Sequence, residues 1–230
     1  VHLSAGFGYS KNRFLLEFEP YFKAVNNLSS WKVDLEELLE NPFTQDGTLA
    51  ALGVDMLIKK QWKRYSLWAS YSLGVAVNRY ESLNDGEYFP TDYHQLHRFN
   101  FTQTLALKRW DISATFNASS GRPYTTPSGL GSRIDEETGQ QEYYLEYNKQ
   151  NNGRLPTYHR LDLAVNYKFS GKRMLGKVGL SVFNLYNQRN LSDIDFFLLP
   201  PKSATGNPRP GRLERPMLGV TPNVFVQLRW

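Results

Sequence analysis

Residues 217–230 read MLGVTPNVFVQLRW, and the alternation in this last stretch decides the fold class. Counted back from the final tryptophan, every second residue is apolar, and polar residues such as Gln227 and Arg229 stand between them. The apolar positions are Trp230, Leu228, Val226 and Val224. A period of two residues predicts a β-strand with one apolar and one polar face. Such a strand buries its apolar face in a soluble β-sandwich. In an outer-membrane barrel it turns that face to lipid, and the polar face lines the lumen.

The same alternation recurs upstream and predicts eight further strands, nine in all. In chain order the eight cover residues 3–9, 14–18, 49–60, 65–75, 99–107, 110–118, 161–169 and 178–182. Gln103 interrupts the apolar face of the fifth strand, and the eighth is open to continuation past Asn187 towards Phe197. The predicted fold class is therefore all-β, an antiparallel meander of about nine strands.

Connections between these strands alternate strictly between short and long. Short turns stand at residues 11–12, 61–64, 108–109 and 170–172, and long connections at 26–47, 80–94, 121–156 and 200–216. Within the first long connection, the spacing of apolar residues in Trp31–Glu40 fits a short helix. Because neighbouring strands of a meander run in opposite directions, all the short turns fall at one end of the sheet. Outer-membrane barrels have this asymmetry, with short periplasmic turns and long external loops.

Bulky aromatic residues collect beside the short turns. They are Tyr9, Phe14, Trp62, Tyr65, Trp110, Tyr167, Phe169 and Trp230. A ring of aromatics at one level is the interfacial girdle of a membrane barrel, whereas nothing in a soluble sandwich collects aromatics at one end of every strand. The pattern therefore favours part of a transmembrane β-barrel over a soluble β-sandwich.

Composition excludes several classes of protein. The chain of 230 residues has no cysteine, so it can hold neither a disulfide nor a thiolate metal site. No segment approaches the run of about 18 apolar residues that a membrane helix needs. The net charge is +5, but the basic residues lie at turn after turn instead of on one face between aromatics, which argues against nucleic acid as a partner. Val1 begins within an alternating segment, so the chain is expected to be mature or cut from something longer.

Several stretches match one family in order and spacing, from about residue 48 to the end. They are residues 154–163 (RLPTYHRLDL), 182–187 (VFNLYN) and 217–230, with HRFN at 97–100, GRPY at 121–124 and LIKK at 57–60. On these residues the chain resembles the C-terminal part of a TonB-dependent outer-membrane receptor. The resemblance is to the Bacteroidota kind in particular, which carries an N-terminal carboxypeptidase-regulatory-like domain.

The resemblance implies a plugged barrel of about 22 strands, of which residues 1–230 would be the C-terminal part. The plug, the energy-coupling box and the earlier strands would then be missing. Strand number supports this interpretation independently, because nine antiparallel strands close only through a parallel seam, whereas bacterial single-chain barrels have even strand numbers. Left open, the first and last strands would expose backbone groups that lipid does not tolerate.

The resemblance also implies a function, a location and partners. The function is TonB-energised uptake of a scarce nutrient across the outer membrane, without enzymatic activity and without a cofactor. The expected partners are outer-membrane lipid and lipopolysaccharide, the TonB complex through the missing N-terminal part, and, as a further candidate, a surface lipoprotein. The identity of the nutrient does not follow from the sequence, because selectivity lies in loops, absent strands and an absent plug.

Aromatic residues in the long connections are the best ligand-binding candidates. They are Tyr88, Phe89, Tyr93, Arg122, Tyr124, Tyr143, Tyr144 and Tyr147. Aromatic faces stack on a sugar or peptide while neighbouring carboxylates and amides fix its orientation. An equally good interpretation is that tyrosines simply help these loops to hold their shape in water.

The polar faces of the strands carry residues that would face the lumen. They are Glu17, Glu19, Asp55, Arg98, Asn100, Arg160, Asp162 and Arg229. In a receptor such residues would contact the plug and line the water-filled side. Glu17 and Glu19 share a strand face, as an acid–base pair would, but a structural role is the stronger expectation.

No catalytic or metal-binding constellation emerges. His94 and His97 have a metal-ligand spacing only on a helix, and here they stand where a loop enters a strand. No Gly-x-Ser-x-Gly sequence is present. Two rival interpretations remain open at this point: a soluble β-sandwich module that binds carbohydrate, and a barrel enzyme such as a protease or lipase.

Overall fold

A computed structural model describes residues 1–31, 43–136, 138–147, 149–171, 174–203 and 206–230. Within them the chain forms strands joined by turns, with one 3₁₀ turn at Asn84–Gly86. The strands are β1 (His2–Ser4), β2 (Phe7–Lys11), β3 (Phe14–Trp31), β4 (Phe43–Gln61), β5 (Tyr65–Arg79), β6 (Phe89–Pro90), β7 (His97–Ala106), β8 (Trp110–Ser119), β9 (Pro123–Tyr124), β10 (Gly129–Ile134), β11 (Gln141–Glu146), β12 (Gly153–Arg154), β13 (Tyr158–Ser170), β14 (Leu175–Phe183), β15 (Leu191–Leu199), β16 (Arg209–Pro216) and β17 (Thr221–Arg229). No helix among the described residues is long and apolar enough to cross a bilayer.

One antiparallel sheet organises the molecule. Its strands follow the order β1-β3-β4-β5-β7-β8-β13-β14-β17, with β2 also paired to β3 and β6 to β5. β1 and β2 pair with β3 in a single register, since Leu3 lies opposite Phe22 and Phe7 opposite Phe18. The two segments therefore count as one strand, and the predicted meander of nine strands is confirmed. The sheet stays open, with β1 and β2 at one edge and β17 at the other.

Pro20 explains why the first strand is interrupted. It faces Ala5, whose backbone N–H donates to the Pro20 carbonyl at 3.2 Å. Proline has no N–H to return to the Ala5 carbonyl, so one rung of the hydrogen-bonded ladder is missing at this position. On its other side Pro20 pairs with Val54 of β4, where the register continues unbroken.

The connections alternate as predicted. The short ones join β2 to β3, β4 to β5, β7 to β8 and β13 to β14, and the long ones contain all the remaining small sheets. The tightest turn, at Asn12 and Arg13, has φ values of 50° and 58°, the left-handed backbone of the hairpin turn that matches strand twist.

Three sequence-based boundaries are wrong. The first long connection is shorter than residues 26–47, because β3 reaches Trp31 and β4 starts at Phe43; the expected helix at Trp31–Glu40 lies outside the described residues except for Trp31, which is in strand. The eighth strand ends at Phe183 and does not continue towards Phe197. Residues 200–216 are not wholly a loop, because β16 forms a separate hairpin with β15.

The two faces of the sheet differ in chemistry, and neither is covered by a second large sheet. On one face, large apolar side chains remain exposed, for example Leu52 at 56%, Leu180 at 50% and Val226 at 63%. Among the described residues, the buried apolar side chains all lie in the long connections; they are Tyr80, Leu83, Phe89, Leu155 and Ile194. A soluble sandwich would bury the apolar face of its strands, so the sandwich interpretation is wrong.

Local irregularities on the two faces are compensated. Gln103, which interrupts the apolar face, accepts a 2.6 Å hydrogen bond from the Tyr65 hydroxyl. On the polar face, the Tyr21 ring lies across Gly53 and Gly74, which occupy the same row on β4 and β5. A Cβ atom at either glycine would lie 2.5 Å from the Tyr21 oxygen, so the ring fills the space that both missing side chains leave.

Aromatic residues pair beside the short turns. Ring centroids are 4.7 Å apart for Trp110 and Tyr167, and 5.2 Å apart for Trp62 and Tyr65. Tyr9 and Phe14 form a similar pair at 6.2 Å across the first turn. The aromatics therefore cluster at the short-turn end of the sheet, as the sequence indicated.

Candidate functional site

The register places the predicted lumen residues on one face of the sheet. Glu19, Asp55 and Arg98 occupy one row across β3, β4 and β7, and the Asn100 row on β7 continues to Arg160 on β13. Glu17 lies in that second row, and Asp162 and Arg229 fall on the same face further along their strands. Whether this face meets a lumen remains a prediction.

Cations cover the aromatic rings of this polar face. The Arg160 guanidinium lies 3.7 Å from the centroid of Phe183, and the Lys59 ammonium 4.0 Å from that of Trp68. Cation–π contact gives an aromatic ring a favourable partner on a charged surface. Positive charge therefore extends over the polar face even at positions where that face carries an aromatic residue.

A cleft that we call the inner cleft opens at the long-connection end of this face. It has a volume of about 320 Å³ and is lined by polar-face residues, including Arg98, Asn117 and Arg160, together with loop residues such as Arg122 and Leu155. Arg160 is held in place by Asp162, with Nε and Nη2 at 3.0 and 2.9 Å from one carboxylate oxygen.

A second cleft, the outer cleft, lies among the long connections. It has a volume of about 510 Å³. It unites four of the predicted ligand-binding residues: Tyr93 from the connection between β5 and β7, and Arg122, Tyr124 and Tyr147 from the connection between β8 and β13. Arg122 ties the cleft to the β15–β16 hairpin, because its Nη2 donates to the Ser192 carbonyl at 2.5 Å, and its guanidinium lies 5.8 Å from the Tyr93 ring centroid.

The other four predicted ligand residues lie outside this cleft. Phe89 is only 5% exposed and packs with Tyr80, so its ring supports the loop from inside. Tyr88 is exposed and lies beside Arg79. On β11, the Tyr143 hydroxyl donates to Asn207 at 2.9 Å, and the Tyr144 ring covers Gly131.

The contribution of β15 to the outer cleft was not predicted from the sequence. Asp193, Asp195 and Phe196 line it, and the Phe196 ring stacks on Tyr124 with centroids 6.2 Å apart. Asp195 is engaged by Arg215 of β16 in an ion pair, and this contact raises the pKa of the guanidinium. Alternating Asp and apolar residues in LSDIDFFLL were the available signal, but they were assigned to a continued eighth strand.

His94 joins the loops at the edge of the inner cleft. It is 8% exposed, and its Nδ1 lies 3.2 Å from Nη2 of Arg154. Because a guanidinium only donates, Nδ1 must accept, and the imidazole is therefore neutral with its proton on Nε2. Arg154 also donates to the Gly121 carbonyl at 2.9 Å. Burial, and then the charge of Arg154, lower the pKa of His94 below its ordinary 6.5.

This arrangement makes the loops sensitive to acid. Since the folded pKa of His94 is lowered, the unfolded chain binds more protons just below pH 6.5. The stability contributed by neutral His94 is therefore complete above pH 6.5 and is lost as pH falls through the folded pKa. NMR titration of the imidazole should give a pKa below 6.5. His94→Gln, which keeps an acceptor for Arg154 but does not titrate, should remove this part of the acid sensitivity; a His94 pKa of 6.5 or higher would contradict the assignment.

Asparagines fasten the long-connection end of β13, β14 and β17. Asn184 is fully buried and has a φ of 54°. Its amide nitrogen donates to the carbonyls of Gln188 and Leu218 at 2.9 and 3.1 Å, and its Oδ1 accepts from the Gln188 N–H at 2.9 Å. The side-chain amide of Asn190 bonds the backbone of His159 in β13: its Oδ1 accepts from the His159 N–H at 3.2 Å, and its Nδ2 donates to the His159 carbonyl at 2.9 Å. This end of the sheet is therefore held by buried amides.

Metal chemistry has no support in this geometry. Among residues whose placement the structure describes, no group of three or more histidine, aspartate and glutamate side chains is arranged to hold a metal ion. Nδ1 of His97 is engaged with the Tyr71 hydroxyl at 2.8 Å, and His94 with Arg154 as described.

Comparison with known proteins gives structural neighbours only. No protein-family model and no curated protein matches the chain. The structure of the FpvAI–pyocin S2 complex matches all of it with a TM-score of 0.60 and 10% identity. The ferripyoverdine receptor of the outer membrane of Pseudomonas aeruginosa, bound to ferripyoverdine, matches all of it with a TM-score of 0.57 and 10% identity.

The chain spans only 27% and 26% of the length of these two neighbours. Both are TonB-dependent outer-membrane receptors and not enzymes. At 10% identity the likeness establishes the fold alone. The chain therefore has the fold of part of the barrel of a TonB-dependent outer-membrane receptor, here as an open sheet.

Proposed function

We propose that this chain is part of an outer-membrane receptor that imports a scarce nutrient, with energy supplied through TonB. The observation that carries the proposal is the sheet itself. Its nine antiparallel strands expose one apolar face and one polar face, with all short turns at one end, and the described residues form no core beneath either face. Lipid on the apolar side and water on the polar side would satisfy both surfaces.

In this proposal residues 1–230 form the C-terminal wall of a larger barrel. The plug and the earlier strands belong to a preceding part of the protein, which would also contact the TonB complex. The small share of the neighbouring receptors that the chain spans supports this division. The motifs at residues 154–163 and 182–187 support the Bacteroidota kind, with its N-terminal carboxypeptidase-regulatory-like domain.

The outer cleft is the proposed point of ligand recognition. Its tyrosines offer stacking faces, and Asp193 and Asn151 offer oriented polar groups, a combination that suits a sugar or a peptide. If a surface lipoprotein takes part, it would bind the long connections around this cleft. The exposed apolar face would contact outer-membrane lipid and lipopolysaccharide. The polar face, with Glu17, Asp55 and Arg229, would then line the water-filled side.

Membrane extraction tests the proposal. The intact protein, expressed in a Gram-negative host, should sediment with the outer membrane, resist a urea or carbonate wash, and dissolve only with detergent. Folded barrel should also migrate differently in SDS gels before and after boiling. A protein that stays soluble and monomeric without detergent would overturn the proposal. Loss of uptake alone would leave the location standing and reject only the transport role.

A further inference from the structure

The inner cleft is a cationic site with no acid in its lining. Three arginines reach it from different elements: Arg98 from β7, Arg122 from the connection after β8, and Arg160 from β13. Of the other residues in the described parts of the chain that line the cleft, none is aspartate or glutamate. The outer cleft, which shares Arg122, is lined instead by Asp92, Asp193 and Asp195.

Among the described residues, two of the three guanidinium groups form no ion pair with a carboxylate. Arg98 donates one hydrogen bond, at 2.8 Å, to the amide oxygen of Gln95, and Arg122 donates to the Ser192 carbonyl. Within the part of the chain that the structure describes, neither forms an ion pair, whereas Arg160 pairs with Asp162. The nearest carboxylate in the row of Arg98 is Asp55, two strands away beyond Ser72.

The cleft is preorganised to present donors. Arg160 is fixed from three sides, by Asp162, by the Tyr158 hydroxyl at 2.8 Å from Nη1, and by the Phe183 ring beneath its guanidinium. Arg98 and Arg160 stand on strands two spacings apart, roughly 10 Å across the sheet, and both line the cleft. Asn100 and Asn117 lie opposite each other in the same row as Arg160, next to the row of Arg98, and both line the cleft.

We propose that the inner cleft binds the anionic group of a small ligand, a carboxylate or a phosphate, between Arg98, Arg122 and Arg160. Planar guanidinium groups match both anions with paired hydrogen bonds, which makes arginine the residue suited to this task. The proposal rests on the proposed function in one respect: the ligand reaches this cleft from the outer one, with which it shares Arg122 and Leu155. It adds a substrate class, namely acidic small molecules.

Calorimetry on the intact protein in detergent micelles tests the site with rigid probes. The first probe is trimesate, benzene-1,3,5-tricarboxylate, and its neutral trimethyl ester is the matched blank. Inorganic phosphate is the second probe, and it separates phosphate from carboxylate recognition. Wild-type protein should bind trimesate, phosphate or both, and should not bind the ester.

Substitution of Arg98 should then weaken the binding. Because a hydrogen bond to a charged group is lost, Arg98→Gln should weaken anion binding roughly tenfold to a hundredfold. Arg98→Lys keeps the charge and should lose only a few-fold in affinity, since it cannot form the paired geometry. Lys177→Gln removes one charge from the same face near its other end and is the matched control, expected to bind as wild type does.

Each result decides the assignment. Absence of anion binding to the wild type, ester binding equal to that of trimesate, or equal losses in Arg98→Gln and Lys177→Gln would overturn it. Unchanged heat-modifiable migration of the variants shows that the barrel has folded. Because binding is measured without transport, a receptor that binds anions but imports nothing would refute the proposed function and leave this site intact.

Discussion

Leu163→Arg is expected to destabilise the folded protein in a bilayer by roughly 2–4 kcal/mol, the cost of a charged side chain on the lipid face near the midplane. Leu163 stands in the middle of β13, in the apolar row between Ala114 and Val182. Ala164, the next residue, points to the other face, between Ser113 and Ser181. Ala164→Arg should therefore be close to neutral.

Comparison of the two variants isolates the effect of the face of the sheet on which the arginine lies. Both place the same side chain on the same strand at nearly the same depth, so only its surroundings differ. Urea unfolding of the intact protein in lipid vesicles gives the free energy of unfolding of each variant. The folded fraction at each urea concentration is measured as the fraction whose migration in SDS gels changes on boiling. Equal losses, or a greater loss for Ala164→Arg, would refute the assignment of lipid to the apolar face.

Asn184→Ala is expected to cost about 3–5 kcal/mol, because three side-chain hydrogen bonds disappear in a fully buried site and alanine is strained at positive φ. The carbonyls of Gln188 and Leu218 and the N–H of Gln188 would lose that partner. The same unfolding measurement records the loss, and protease cleavage near residues 184–190 should accelerate.

Companion variants separate the two causes. Asn184→Gly removes the same hydrogen bonds but relieves the backbone, so its loss should be smaller by about 1 kcal/mol. Asn184→Asp keeps the acceptor and turns a carboxylate oxygen towards two carbonyls, so it should be at least as harmful as alanine. Asn223→Ala, at an exposed asparagine of β17, should change stability by less than about 0.5 kcal/mol. A loss for Asn184→Ala as small as this control would contradict the role of the buried amide.

The alternation of apolar and polar residues predicted the meander because successive side chains of a strand point to opposite faces of the sheet. The two faces have different surroundings, so the sequence alternates with the same period of two residues. This alternation placed Gln103 on the apolar face of the fifth strand, but it could not show how Gln103 or Pro20 is accommodated, since this depends on the neighbouring strand. Pro20 lacks the N–H that would bond the Ala5 carbonyl, so one hydrogen bond between the first two strands is missing. The side-chain oxygen of Gln103 accepts a hydrogen bond from Tyr65 of the adjacent strand. Both contacts join residues distant in sequence.

The long connections were harder to predict for the same reason. Leu191–Leu199 contains enough alternation to look like more of the preceding strand, yet it pairs with Arg209–Pro216 in a hairpin of its own. Phe89 looked like a ligand contact among exposed aromatics, and only the folded loop shows it packed against Tyr80. The composition of a loop therefore indicated its chemistry but not which residues face outward.

The candidate site was predicted in part. Tyr93, Arg122, Tyr124 and Tyr147 were selected as residue types suited to recognition, and the structure brings them to one cleft. The sequence did not predict that the outer cleft is lined by acidic residues and the inner cleft by arginines. This difference depends on which loops meet at Arg122, which lines both clefts.

The Tyr21 ring over Gly53 and Gly74 constrains how this sheet can evolve. The phenol already fills the volume that a side chain gained at either glycine would need, with a Cβ at 2.5 Å from its oxygen. A side chain at position 74 therefore requires the phenol to move aside or residue 21 to become smaller. Position 53 is more restricted, because a Cβ there would also lie 2.6 Å from the Leu73 carbonyl oxygen, so change at residue 21 alone would not release it.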